Sequence, residues 1–348
     1  MPSSLVTRLR ATLSGDTTKQ AAFLTFLSMV EFRVFVLLHP ENLFELSEAA
    51  RHVIEGTPYF AAFQNRLLGP YLVLLCSSMT GLSYESSHGL ILLALVIAAN
   101  LTAFAVFRRL TASSDLGFRY AVYFLCAFLA IQSDDWALVW DFIDMPVYLL
   151  FAYGVFARKP VAYFIPIFAV GILNKESALV IPLWLMIDAF IVRSGPRAGR
   201  LGGRLELPAR FWGGVLLAAA GGTYTKVSRE LLFVQSSLES TDRFIQLPFF
   251  DNHWNLFASI HRAAVLLLNP ALDLAVVIHL AWLLLACFFV VHWQQIRDRY
   301  LSVFVVVVAM WAAVPVFGFF DETRQYLYLL PFVLMFDLAF RNRIVEPA

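Results

Sequence analysis

The stretch HGLILLALVIAANLTAFAVF, residues 88–107, decides the fold class. It carries no aspartate, glutamate, lysine or arginine over the length that a helix needs to cross a bilayer, about 20 residues at 1.5 Å each. Arg108 and Arg109 follow it directly. Paired arginines are typical of a span that leaves the membrane on the cytoplasmic side. The stretch therefore predicts a transmembrane helix that ends at a cytoplasmic turn.

The composition extends this prediction to the whole chain. Of its 348 residues, 60% are hydrophobic and 15% are charged, whereas soluble domains average roughly 45–50% and about 25%. The mean hydropathy of +0.71 agrees. A formal net charge of +1 gives no basic footprint for nucleic acid. We expect one all-α membrane domain over 1–348, with no nucleic acid as partner.

Apolar runs of spanning or near-spanning length recur along the chain and predict about ten transmembrane helices. The predicted spans are 20–38, 88–107, 119–132, 137–156, 161–173, 177–193, 211–224, 272–292, 301–319 and 326–340.

A further apolar stretch, 67–80, is assigned by charge asymmetry. If it does not cross the membrane, every arginine and lysine cluster falls on one side, as the positive-inside rule requires. Those clusters are Arg8/Arg10/Lys19, Arg108/Arg109/Arg119, Arg158/Lys159, Arg193 to Arg210, Arg297/Arg299 and Arg341/Arg343. The chain is then multi-pass with both termini cytoplasmic, and 67–80 lies in the outer interface or is re-entrant.

Two outer segments are long, 39–87 and 225–271. The first begins with acidic residues spaced along one helix face and apolar residues along the other. That pattern predicts an amphipathic helix lying on the membrane surface. Residues 225–258 also mix charges with apolar residues and suggest a second interfacial segment.

The richest group of ionisable residues opens the fourth span. Asp134, Asp141, Asp144 and Tyr148 fall along one helical stripe, with Asp135 beside them. Crowded carboxylates favour a cation or a shared proton. The functional interpretation is a Mg²⁺ or Mn²⁺ site at Asp141 and Asp144, a donor-phosphate site, or a general base. The structural interpretation is helix capping in water and bonds to neighbouring helices.

The turn Asn174-Lys175-Glu176 follows a span of only about 20 Å, against a hydrocarbon core of about 30 Å. It should therefore lie below the outer surface. Lys175 then suits a phosphate at membrane depth, because an unpaired charge there is costly. The alternative is a Lys–Glu pair that satisfies itself.

Two more cationic positions lie on the outer side. Arg324 follows Glu322 at the start of the last span and could fork onto a phosphate, or pair with that glutamate. Arg66 precedes the 67–80 stretch and could contact a phosphate or extend its charge to the interface. Glu31 and Arg33, inside the first span, receive no role from the sequence. The P-loop, GxGxxG, HExxH and GxSxG motifs are absent.

The layout resembles the multi-pass type C glycosyltransferases, which use polyprenyl-phosphate sugars at the outer membrane face. The resemblance is one of pattern over most of the chain. It is carried by 56–59 (GTPY), 65–70 (NRLLGP), 81–83 (GLS), 108–110 (RRL), 174–176 (NKE), 322–324 (ETR) and 330–331 (LP).

The resemblance implies a polyprenyl-phosphate-linked sugar as donor, membrane lipid around it, and a glycan, lipid or protein acceptor, in the bacterial inner (plasma) membrane. Arg66, Lys175 or Arg324 would stabilise the leaving phosphate, with Asn174, Glu176 and Glu322 beside them. Asp135, Asp141 or Asp144 would bind the sugar or a divalent cation. Such enzymes usually place an aspartate early in the first outer loop as base, where this chain offers Glu41, Glu45 and Glu48.

Two other classes fit the charge pattern. A lipid or sugar flippase or proton-coupled transporter could use buried carboxylates and a broken helix hairpin as a relay. A non-catalytic scaffold in a membrane complex is the third. The collection of polar groups on one face and not at the midplane favours the glycosyltransferase.

Overall fold

A computed structural model describes most of the chain, and all structural statements below concern those residues. They are 12–38, 42–56, 66–132, 138–194, 206–232, 285–317 and 323–344. Their regular structure is entirely helical. Four helices are long and apolar enough to cross a membrane: Thr17–Leu38, Tyr84–Thr111, Ser114–Ile131 and Val139–Phe156. The predicted all-α class is confirmed, whereas ten spans stay a prediction.

Eleven helices carry the described architecture. They are α1 (Thr17–Leu38), α2 (Asn42–Glu55), α3 (Leu68–Thr80), α4 (Tyr84–Thr111), α5 (Ser114–Ile131), α6 (Val139–Phe156), α7 (Val161–Asn174), α8 (Val180–Ser194), α9 (Glu206–Leu232), α10 (Leu301–Phe317) and α11 (Leu330–Phe340). The 3₁₀ turns Glu176–Leu179 and Thr323–Leu329 precede α8 and α11, and the short turns Trp293–Gln295 and Ile296–Tyr300 precede α10.

Cross-helix hydrogen bonds show which helix ends lie together. The Gln20 side chain donates to Asp115 at 2.8 Å, which joins the starts of α1 and α5. Tyr120 donates to Asp337 and so brings the end of α11 to the same place. Because Arg108 and Arg109 end α4 beside the start of α5, we call this the basic end of the bundle.

A second set of contacts extends the basic end to α8, α9 and α10. Asp188, just past the middle of α8, pairs with Arg210 at the start of α9 and accepts a hydrogen bond from Ser302 at 2.6 Å. Tyr300, just before α10, packs against Phe340 at the end of α11. Among the described residues, the arginine-rich turns therefore share one end and these helices alternate in direction.

The start of α3 and the start of α4 lie at the end of the bundle opposite the basic end. At its start, a Cβ on Gly69 would meet Val139, in the first turn of α6, at 2.6 Å. Beyond its end, Tyr84 opens α4 and donates to the Pro70 carbonyl at 3.4 Å. A helix that crossed the bundle would have delivered Tyr84 to the basic end. The starts of α3 and α4 therefore lie together, and the assignment of 67–80 as a stretch that does not cross the membrane stays a prediction.

The largest difference from the sequence prediction is in α9. The span predicted as 211–224 runs as one helix from Glu206 to Leu232. Residues 225–232, predicted to begin an outer interfacial segment, instead continue the helix, because Val227 and Leu231 prolong its apolar face. The rest of that segment, 233–271, lies outside the described residues, as does most of the predicted span 272–292.

Helix α6 forms the centre of the bundle. All but two of its residues are buried, and Phe151 packs edge-on against Phe164, Trp184 and Phe332 of three neighbouring helices. A helix that is buried all round carries its polar residues into the interior. Asp141 and Asp144 are therefore buried by the position of α6, at the end opposite the basic end.

Candidate functional site

Asp141 occupies the third position of α6. Its Oδ2 accepts the backbone N–H of Leu138 at 3.0 Å. The first N–H groups of a helix lack partners within it, and a carboxylate there is favoured by the helix dipole. The side chain is 4% exposed. Capping explains one oxygen of Asp141 and leaves the other directed at a neighbouring helix.

Lys175 supplies the cation for that second oxygen. It lies between α7 and the following 3₁₀ turn in an extended conformation, φ −162° and ψ 145°. Its Nζ lies 3.0 Å from Oδ1 of Asp141 and 3.9 Å from Oδ2 of Asp144. The lysine side chain is 21% exposed. The break between the two helices thus turns an ammonium inward onto two buried carboxylates.

Asn174 fixes the other side of the carboxylate pair. Its amide nitrogen donates to Oδ1 of Asp144 and to the carbonyl of Trp140, both at 2.7 Å. Asn174 is fully buried. Both hydrogen bonds join the end of α7 to the first turns of α6, so the amide sets the distance between the two helices.

Arg66, in the segment before α3, lies beside this site. Its guanidinium carbon lies 5.3 Å from the centre of the Trp140 ring, within the range of a cation–π contact. Its positive charge also acts on Asp144. The sequence placed Arg66 at the start of an outer stretch, and the structure brings it to the start of α6.

Glu176 turns away from Lys175 and pairs with α9. Its Oε1 lies 2.9 Å from an Arg229 nitrogen. The approach of α9 depends on Gly221, where a Cβ would meet Phe168 at 2.6 Å and Leu179 at 2.8 Å. Arg229 is 51% exposed. Sequence reasoning placed Arg229 only in an outer segment, and continuing the helical pattern of α9 would have identified its face.

An apolar groove of about 510 Å³ lies beside this site. It runs along one face of α9, at positions three and four apart, and Leu67 forms its other wall. The lining residues on α9 are Ala220, Thr223, Tyr224, Val227, Ser228, Leu231 and Leu232. Tyr224 is also within electrostatic range of Glu176. The groove and the charged residues therefore adjoin.

We call Arg66, Asp141, Asp144, Asn174, Lys175, Glu176 and Arg229 the polar cluster. Its three acids are matched by three bases among the described residues. The sequence argument that Lys175 needs a ligand to neutralise it is wrong, because Asp141 does so. The alternative of a Lys175–Glu176 pair is also wrong, since each residue pairs with a different helix.

The two aspartates fit a metal ion poorly as they are arranged. Both oxygens of Asp141 have partners. Asp144 accepts a hydrogen bond from Asn174 and lies near the Lys175 ammonium. Among the described residues, no group of three or more histidine, cysteine or acidic side chains could hold a metal ion. The cation beside these carboxylates is the ammonium, and the Mg²⁺ or Mn²⁺ site stays a prediction.

The remaining predicted site residues lie elsewhere or outside the description. Glu45 is exposed on α2, and Glu48 lies 3.7 Å from Arg51 of the same helix. The backbone of Arg324 belongs to the 3₁₀ turn Thr323–Leu329 that leads into α11. Four residues that the sequence placed in candidate sites lie outside the described residues: Glu41, Asp134, Asp135 and Glu322.

Comparison of the chain with family models, with curated proteins and with solved structures gives no match.

Proposed function

We propose that the chain is a membrane glycosyltransferase that transfers a sugar from a polyprenyl-phosphate donor at the non-cytoplasmic face. The observation that carries the proposal is the polar cluster beside an apolar groove, at the end of the bundle opposite the arginine-rich turns. Both termini lie on the cytoplasmic side in this proposal, in a bacterial inner membrane.

The groove would take the prenyl chain and Arg229 the phosphate. Apolar side chains line most of the groove, which suits a hydrocarbon. The guanidinium of Arg229 carries five N–H donors in a planar fork that matches phosphate geometry. Half of the Arg229 side chain is exposed, and its neighbour in the chain, Ser228, lines the groove. A phosphate there would sit at the edge of the cluster.

Asp144 would bind the sugar, because its Oδ2 lies 3.9 Å from the Lys175 ammonium, beyond hydrogen-bond distance. Carboxylate oxygens accept hydrogen bonds from sugar hydroxyls, and the rings of Tyr148 and Tyr328, 5.5 Å apart, lie below Asp144. An acceptor hydroxyl attacks the anomeric carbon, and the bond from that carbon to the phosphate oxygen breaks. The polyprenyl phosphate leaves, and a glutamate of the first outer loop, Glu41, Glu45 or Glu48, takes the hydroxyl proton.

Binding of a polyprenyl phosphate to the purified protein in detergent tests the donor site. Arg229→Gln removes a charge-assisted contact, which should weaken binding about tenfold or more. Ala220→Phe fills the groove and should weaken it as well. The matched controls lie on the same helix: Lys226→Gln, an exposed cation 3.8 Å from Glu230, and Ala219→Phe, outside the groove lining. Equal binding by all four variants would refute the donor site.

A flippase or proton-coupled transporter is the alternative, favoured by the carboxyl of Glu31 inside α1, which is 2% exposed. The two functions differ in their products. A glycosyltransferase releases free polyprenyl phosphate and glycosylates an added acceptor, whereas a flippase moves the intact donor across a proteoliposome membrane. Asp144→Asn should abolish sugar transfer while leaving polyprenyl-phosphate binding within about threefold.

A further inference from the structure

A second buried polar group lies between α1 and α4, away from the polar cluster. Glu31 on α1 is 2% exposed, and Ser28 and Asn100, on α1 and α4, are fully buried. The Asn100 amide nitrogen donates to Glu31 Oε2 at 2.6 Å and to Ser28 Oγ at 3.0 Å. Ser28 in turn donates to the Leu24 carbonyl at 2.8 Å. The three side chains form one connected network.

The donors and acceptors of this network do not match if Glu31 is ionised. Both amide hydrogens of Asn100 and the hydroxyl hydrogen of Ser28 are already used. Two buried acceptors, Glu31 Oε1 and Asn100 Oδ1, have no partner among the described residues. A proton on Glu31 supplies the missing donor, and it can join these two oxygens. An acid and an amide then face each other in a cyclic pair with two hydrogen bonds.

The surroundings give an ionised Glu31 no compensation. It lies fourteen residues into α1, about 21 Å from the start of that helix. A carboxylate at such depth costs a few kcal/mol, about 2.5–3.5 on insertion scales. Among the described residues its polar partner is the Asn100 amide at 2.6 Å, and no cationic side chain lies within salt-bridge distance of it.

The other titratable groups on the packed helices are distant, paired or face elsewhere. On α6, which packs against α4, Asp141 and Asp144 face Lys175. The charged groups of α2 lie around Tyr84, at the start of α4 and about 24 Å along that helix from Asn100. Along α4, His88 lies about 18 Å from Asn100 and Arg108 about 12 Å in the opposite direction. Arg33 is two residues from Glu31 and so points to a different side of α1. The titratable residues of α5 are Asp115, Arg119, Tyr120, Tyr123 and Cys126; Asp115 and Tyr120 are tied to the basic end, and Tyr123 and Cys126 are exposed.

We propose that Glu31 is a proton-binding site, neutral in the folded protein at pH 7, and that its proton completes an acid–amide pair that fastens α1 to α4. Loss of the proton leaves a buried charge facing the Asn100 carbonyl, so α1 separates from α4 at this level. Helix α1 leads directly into the first outer loop. The site does not depend on the proposed glycosyltransferase activity.

Infrared spectroscopy of the full chain in detergent tests the protonation directly. Glu31→Gln keeps the shape of the pair, because its amide can donate to Asn100 Oδ1 as the acid does. At pH 7 the difference spectrum of wild type minus Glu31→Gln should show the carbonyl band of a protonated carboxylic acid. A carboxylate band in its place would overturn the proposal.

The pH dependence of unfolding gives a second readout. Between the unfolded glutamate pKa of about 4.3 and the pH at which folded Glu31 loses its proton, the folded protein holds one proton more than the unfolded chain. Stability must therefore fall as pH rises, by up to about tenfold in the unfolding equilibrium for each pH unit. Glu31→Gln should lack this component, and Ser28→Ala, which removes a hydroxyl without removing the proton, should keep it.

Exchanging the two groups completes the test. Glu31→Gln combined with Asn100→Asp moves the acid to α4 and keeps one proton in the pair, so the pH dependence and the infrared band should both return. If wild type and Glu31→Gln share the same pH dependence, or the exchanged pair stays without it, the proposal is wrong.

Discussion

Removal of the Lys175 ammonium should destabilise the protein strongly. Lys175→Met leaves Asp141 and Asp144, each 4% exposed, without the cation that lies 3.0 Å and 3.9 Å from their oxygens. Removing one partner of a buried ion pair costs about 3–5 kcal/mol, because the remaining charge is left uncompensated. We expect about 3 kcal/mol at pH 7, since the lysine is 21% exposed.

A double-mutant cycle separates this loss from the loss of lysine packing. Asp141→Asn keeps an oxygen to accept the Leu138 N–H and removes one charge. Combined with Lys175→Met, it should recover about 2 kcal/mol relative to the sum of the single changes.

Chemical unfolding of the four proteins in one detergent, followed by tryptophan fluorescence, measures the cycle. The penalty of Lys175→Met should also shrink at lower pH, where the two aspartates can take up protons. Additive effects of the two changes, independent of pH, would show that the pair is not energetically coupled.

Three further predictions follow from other parts of the bundle. Gly221→Ala should lower the free energy of unfolding by about 1–3 kcal/mol, because the new Cβ meets Phe168 and Leu179. In the same unfolding assay, Gly222→Ala should be neutral or stabilise by up to about 1 kcal/mol, because its Cβ meets nothing within 4 Å. In a cysteine-free background, Leu82→Cys should react with an impermeant thiol reagent from outside the cell and Ala112→Cys only after permeabilisation; the same accessibility for both would contradict the assignment of 67–80. Mg²⁺, Mn²⁺ or chelator should leave the melting temperature unchanged, because the ammonium already holds Asp141, and a chelator-induced drop would instead indicate a metal site.

The helical class and the grouping of charges followed from the sequence. A long uncharged run such as 88–107 can cross a membrane only if its backbone hydrogen bonds are made within the segment. A helix meets this requirement, so the length and lack of charge predict a helix. The shared location of the arginine-rich turns needed only the alternation of helices along the chain. The same argument predicts that 67–80 does not cross the membrane; the structure shows that Tyr84 at the start of α4 meets Pro70, and the crossing itself stays a prediction.

Helix limits were less accessible to the sequence. Helix α9 continues to Leu232 although Lys226 and Arg229 follow its most apolar part. Charges suggested an end to the span there. The helix continues because its backbone stays paired and its side chains find partners on other elements, as Arg229 does with Glu176.

The sequence identified several site residues but not their pairing. Asp141, Asp144, Asn174 and Lys175 were recognised because charged and amide side chains at membrane depth are costly. Which charge compensates which depends on how α6, α7 and α9 approach one another, over separations of 34 residues for Lys175–Asp141 and 53 for Arg229–Glu176. Hydropathy and helical periodicity act along one segment and carry no information about such distances. Only the packing of the helices decided that Lys175 is neutralised within the protein. The same packing places Asn100 beside Glu31, where it can pair with the proposed proton.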